Sequence, residues 1–200
     1  LLLKINNKQR MGGSIYQDVF NLNSNLKCPR IDNLEKLKNI FDKVQRFISY
    51  GLILSGHDKS DGGLLTTLFE MSISSGIGLN IYGSGDYLFN EEMGVVIEVE
   101  NSKLDTVISR LYSYHIIHDI VGHTNKSNHI TIIDKKKVIF KDRINAMRLV
   151  WSNRSLEMEK EQTELNCVEQ ERKQIICCKK LKYNLDSSVI RRLNFFGYKN

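Results

Sequence analysis

The apolar residues of this chain change their spacing several times along its length, and that alternation limits the fold more than any other feature. Leu1, Leu2, Leu3 and Ile5, and then residues 52–54, 95–99, 116–121, 130–133 and 138–140, form short apolar runs suited to buried strands. Leu34, Leu37, Ile40, Phe41, Val44, Phe47 and Ile48 instead recur at three-and-four spacing, with Asp32 and Glu35 as the expected capping pair and Gly51 just past the end. Helical spacing returns over residues 64–75, ending at Gly76, and in Leu104, Val107, Ile108 and Leu111. A final helix from Arg143 carries Met147, Val150 and Trp151, with the tryptophan as its packing anchor. Residues 122–128 read as a loop between two strands and residues 134–137 as a turn. Elements mixed in this order predict an α/β (α+β) domain, a mostly antiparallel sheet layered with helices.

With 200 residues, 41% of them hydrophobic, the chain is long enough for one core. Residues 1–150 read as that domain and 151–200 as a helix and linker, because the charged stretch 157–173 and the residues after it carry no clear period. Beyond about residue 175 the chain is expected to be poorly ordered. No run approaches the roughly 18 to 20 apolar residues that span a bilayer, and the opening LLLKINNK is too short for a signal peptide. No membrane partner is expected, and the location is expected to be cytoplasmic. The chain opens on Leu1 inside an apolar strand, which reads as a piece of something longer, either part of an intact enzyme or an inactive truncated product.

Of the net charge of +6, residues 1–134 contribute 13 Lys+Arg against 15 Asp+Glu, and residues 135–200 contribute 16 against 8. No aromatic-and-basic pattern accompanies the basic end, so no nucleic-acid partner is expected. Cys28, Cys167, Cys177 and Cys178 lack paired metal-ligand spacing and read as reduced thiols. His115, His118, His123 and His129 lie on or beside strands without helical metal spacing, which favours structural or surface roles.

Chemistry concentrates in Gly56-His57-Asp58-Lys59-Ser60-Asp61-Gly62-Gly63, expected as a loop between the strand at residues 52–54 and the helix that follows. Free N–H groups at a helix start, the helix dipole and two glycines suit a phosphate, and a carboxylate beside it would recruit magnesium. The plainer reading is a capped turn, since Asp and Ser commonly precede helices and Asp-Gly-Gly is a common turn. Leu88-Phe89-Asn90-Glu91-Glu92-Met93-Gly94 is a second candidate, its paired acids suited either to metal and acid–base work or to a solvated turn. Tyr82-Gly83-Ser84-Gly85 follows a strand with no helix predicted behind it, matches no nucleotide fingerprint and reads as a flexible loop.

These segments resemble the long, single-chain phosphoribosylformylglycinamidine synthases. Residues 56–64 resemble the glycine-rich loop of that family's second synthase half, with Lys59 where Arg is usual, which keeps the charge but not the fork geometry. Leu88 to Gly94 resembles the next motif, with Met93 in place of Leu, and Arg10-Met11-Gly12-Gly13-Ser14 resembles the Gly-Gly-Ser segment. The likeness runs over about residues 1–175, with Val150-Trp151 where the family has paired tryptophans. It implies a fold like the C-terminal domain of aminoimidazole ribonucleotide synthetase. It also implies an ATP-dependent amidotransferase that makes formylglycinamidine ribonucleotide from formylglycinamide ribonucleotide and glutamine in purine biosynthesis. ATP or ADP and Mg2+ are then the cofactors, Asp58 a magnesium ligand and Ser60 a nucleotide contact, with no catalytic residue assigned. The remaining synthase half and the glutaminase are the implied partners. Aminoimidazole ribonucleotide synthetase and selenophosphate synthetase share this type of domain but lack the match at Leu88 to Gly94.

Overall fold

Leu2 and Leu3 are adjacent in strand β1 (Leu2–Lys4), so they point to opposite faces of a sheet, and both are fully buried. A sheet buried on both sides must be layered twice. The computed structural model, which describes residues 1–22 and 25–177, shows how. Strand β1 lies between β4 (Gly94–Glu98) and β5 (Ile117–Asp119), with β2 (Ser55–Lys59) beyond β4, in the fully antiparallel order β2-β4-β1-β5.

On one face Leu3 and Ile97 pack with Ile40 and Phe47 of helix α2 (Leu34–Ser49) and with Val107 and Leu111 of α5 (Leu104–Ser113). On the other, Leu2 and Val96 pack with Leu64 and Leu68 of α3 (Gly63–Ser75) and with a second sheet. That sheet has the order β6-β3-β7-β8, built from β3 (Gly78–Tyr82), β6 (Gly122–Asn125), β7 (His129–Asp134) and β8 (Lys137–Arg143). Only β3 and β7 run parallel, so the expected mostly antiparallel layering is what forms. Short helices α1 (Ile15–Val19) and α4 (Asp86–Phe89) precede β2 and β4, and α6 (Ile144–Glu159) and α7 (Leu165–Cys177) close the described chain. The chain divides into two compact units, Leu1–Trp151 and Ser152–Asn200.

Several local expectations are corrected. Residues 52–54 are not a strand: Gly51, at φ 62°, donates to Ile48 and Leu52 to Phe47, a Schellman ending that turns the apolar run back onto α2, and pairing with β4 begins only at Ser55. His57, Asp58 and Lys59 therefore lie in a strand, and the loop shrinks to residues 60–62. Asn33, not Asp32, caps α2, accepting from the Lys36 N–H at 3.0 Å. Asp32 instead accepts from Lys8 and Arg30, which hold its carboxyl well below the usual carboxylate range. Residues 122–125, taken as loop, form β6, a polar edge strand whose outer side needs no apolar residues. Trp151 is exposed and serves as no packing anchor.

In the second unit, part of the charged stretch expected as a linker is α7, where Val168 is buried and Arg172 reaches Glu157 at 3.1 Å. Cys178 and the rest of residues 178–200, on which most of the expected disorder falls, lie outside the described residues.

Leu64 is fully buried between the sheets, whereas Phe41 on α2 is 61% exposed. Leu64→Ala should cost about 2–5 kcal/mol in chemical denaturation, while Phe41→Ala should stay within about 0.5 kcal/mol of the parent.

Candidate functional site

At one end of the first sheet, Lys59, Gly94 and Lys4 sit side by side in register across β2, β4 and β1. Here Asn90, 4% exposed, uses both ends of its amide. Its Nδ2 donates to the Asp86 and Tyr87 carbonyls, ending α4, and its Oδ1 accepts from the Lys59 ammonium at 2.9 Å and from the Glu92 N–H at 3.3 Å. Glu92, also buried, pairs with Arg10, whose Nη2 lies 2.7 Å from Oε2 and whose Nε meets Oε1. Glu91 places Oε1 2.8 Å from the Gly62 N–H and 2.9 Å from the Ile15 N–H. The three segments singled out in the sequence thus close into one knot.

The glycines permit the closure. Gly63 has φ 71°, and a Cβ on it would come within 2.7 Å of the Asn90 carbonyl oxygen, so the turn into α3 can press on the Asn90 backbone only without a side chain. Nearby, Ser14 caps α1 by accepting from the Gln17 N–H at 3.2 Å and donates to the Met11 carbonyl at 2.7 Å. The knot also buries charge. Burial pushes Lys59 down from an ordinary 10.5 to about 8, against the attraction of Glu92, and burial together with the bond to Asp119 raises Tyr87.

Against this packed background, Asp58 and Ser60 are exposed. The alternation of the strand explains it: Lys59 points inward, so its two neighbours point out. The Asp58 side chain is 79% exposed, with His57 Nδ1 3.3 Å from its Oδ1. The other His57 nitrogen lies 3.2 Å from Glu70, which also accepts from Trp151 Nε1 at 3.3 Å. Asp58 lines a shallow groove of about 600 Å3 between β2 and α2, with Val44, Ile48 and Val95. A more enclosed cavity of about 430 Å3 on the far side of β2 includes His57 but neither Asp58 nor Ser60.

Two of the amides at the start of α3, where a phosphate was expected, are engaged within the chain, Gly62 by Glu91 and Gly63 by the Ser60 carbonyl at 3.0 Å. Glu91 and Glu92 are likewise no free acid pair, since each has a partner in the knot. Among the described residues no group of three or more His, Cys, Asp and Glu converges as a metal cage. In the sequence Arg10 and Asn90 stand out only as parts of motifs. Their partners lie 82 and 31 positions away, and spacing carries no signal for that.

Residues 1–135 match the family described as AIR synthase related protein, C-terminal domain. The chain is 35% identical over 171 residues to the phosphoribosylformylglycinamidine synthase, chloroplastic/mitochondrial, of Arabidopsis thaliana, a match covering 82% of this chain and 12% of that relative. Among solved structures, Thermotoga maritima PurL complexed with ATP matches with a TM-score of 0.53 at 11% identity, over 59% of this chain and 22% of that one. PurLQS from the same organism also gives a TM-score of 0.53, at 12% identity, covering 66% of this chain and 24% of that one. At those identities the likeness is one of fold.

Because the folded state holds Lys59 at about 8 and the unfolded chain at an ordinary 10.5, the unfolded state binds the extra proton between those values, and this residue makes stability rise with pH there. Parent stability should gain up to about 3 kcal/mol relative to Lys59→Met as pH goes from 8 to 10.5, read from paired urea titrations.

Proposed function

Because the chain belongs to the AIR synthase related family by its C-terminal-type domain, we propose that it serves a phosphoribosylformylglycinamidine synthase as the C-terminal part of its second synthase half. The observation that carries this reading is the convergence of Arg10–Ser14, Asp58–Gly63 and Leu88–Gly94 on one sheet end, with Asp58 and Ser60 left facing out. The match at Leu88 to Gly94 favours this synthase over other members of the family.

The chain spans 12% of the length of the plant relative, so on this reading the reaction belongs to a larger assembly. That assembly converts formylglycinamide ribonucleotide, glutamine and ATP to formylglycinamidine ribonucleotide, glutamate, ADP and phosphate in purine biosynthesis. The rest of the synthase region and the glutaminase are the partners, and the setting is cytoplasmic. The Thermotoga proteins of this fold were solved with ATP, ADP, AMPPCP and formylglycinamide ribonucleotide, in keeping with a nucleotide here.

Magnesium fits the residues present. It takes one or two protein oxygens and completes its shell with phosphate and water, so a solitary exposed carboxylate such as Asp58 suffices where a cage is absent. When bound, the cation neutralises phosphate charge. Asp58 then holds it, the Ser60 hydroxyl contacts the nucleotide, and Lys59 keeps the strand between them fixed from inside. With the Gly62 and Gly63 amides engaged within the chain, Asp58 and Ser60 on the exposed side of β2 are the groups that would meet the nucleotide.

The 200-residue chain alone should show no amidine formation from formylglycinamide ribonucleotide, ATP and glutamine, measured by product chromatography. In the full-length synthase, Asp58→Asn removes a charge at nearly constant volume. It should weaken magnesium-dependent ATP or ADP retention by about tenfold or more while leaving glutamine hydrolysis near parental. Retention equal to the parent's would leave Asp58 without a role in holding magnesium.

A further inference from the structure

We propose that Glu91 is the positioning residue of the Asp58–Ser60 edge, acting as an internal anion that ties two remote backbone amides together. A single oxygen, Oε1, accepts from Ile15 N at 2.9 Å and from Gly62 N at 2.8 Å, residues 76 and 29 positions away. The Gly-Gly-Ser turn and the turn leaving β2 are thereby joined through one atom.

The backbone on either side of Glu91 is fixed, which makes that reach reproducible. Before it, Asn90 is held by the ammonium of Lys59, and after it, Glu92 is clamped by Arg10. Adjacent acids thus divide the work, Glu92 gripping Arg10 by its guanidinium and, at 3.4 Å, its N–H, and Glu91 gripping the main chain of two separate segments. Pinning Gly62 in turn fixes Ser60, whose carbonyl accepts from the next amide, Gly63 N, at 3.0 Å. The tie sets where the Ser60 hydroxyl stands relative to Asp58 in β2.

Charge and length both matter. A carboxylate oxygen binds an amide N–H roughly twice as strongly as a neutral oxygen does. A side chain one methylene shorter, from the same backbone position, does not reach two amides that belong to different segments. Glutamine keeps the reach and loses the charge, aspartate keeps the charge and loses the reach, and alanine loses both.

The experiment uses Glu91→Gln, Glu91→Asp and Glu91→Ala in the full-length synthase for Mg-ATP affinity, and in this chain for amide exchange by NMR. The affinity readout rests on the nucleotide reading above; the exchange readout does not. Relative to the parent, Mg-ATP binding should weaken about threefold in the Gln variant and about tenfold or more in the Asp and Ala variants. The Gly62 and Ile15 amides should lose protection together in all three variants, while Thr67 and Leu68 inside α3 keep theirs. Formate in excess should restore protection at both amides in Glu91→Ala, where chloride at equal ionic strength should not. Parental protection of either amide in Glu91→Ala, or parental behaviour of Glu91→Asp, overturns the proposal. If Glu91→Ala loses protection throughout, Glu91→Gln decides, and the proposal falls unless the same two amides lead its loss. A parent that binds no Mg-ATP sinks the nucleotide reading alone, and exchange with formate then decides the role of Glu91.

Discussion

The buried bond between the Lys59 ammonium and the Asn90 amide is the interaction on which this end of the molecule depends. A cation enclosed by protein needs a satisfied partner, and Asn90 can serve only because its other end is spent on the last turn of α4. Removing the amide would leave a charge without its acceptor and release the α4 carbonyls together. The turn that carries Glu91 and Glu92 follows from Asn90, and the two acids then reach outward to the segments at residues 10–15 and 60–63. A neutral hub thus organises a charged rim, with Lys59 itself held near the edge of its protonated range by burial.

Much of the fold was legible because burial leaves a period. Leu2 and Leu3 announced a two-sided strand, the three-and-four spacing of residues 34–48 announced α2, and the glycines after α2 and α3 marked where those helices stop. What stayed hidden has physical reasons. Leu52 and Ile53 are apolar because they pack with α2, and packing without a hydrogen-bonded ladder looks the same in sequence as packing within one. The polar β6 lies at an edge, and α7 is rich in charges that helices tolerate well on a wet face.

The candidate site was legible in its parts and not in its assembly. Gly56 to Gly63 was visible as a chemical segment, but the strand that contains His57, Asp58 and Lys59 was read as loop. The distinction matters to function, because a strand sends alternate side chains to opposite sides. The stretch Asp58 to Ser60 that buries the Lys59 ammonium also presents a carboxylate and a hydroxyl to solvent. The placement of Glu91 on the Gly62 amide lay equally beyond spacing arguments, since an internal carboxylate and an external phosphate make the same demand on a helix start.

The parallel pairing of β3 with β7 has a consequence for how the molecule comes together. Between those two strands the chain leaves to lay down β4 and β5 in the first sheet and β6 in the second. The strands of the two sheets are therefore interleaved along the chain, and no single cut separates the sheets into independent pieces. Loop-closure entropy over this long excursion must be met before the parallel ladder contributes. Such interleaving favours formation of the two layers together, as one cooperative event rather than as two successive ones.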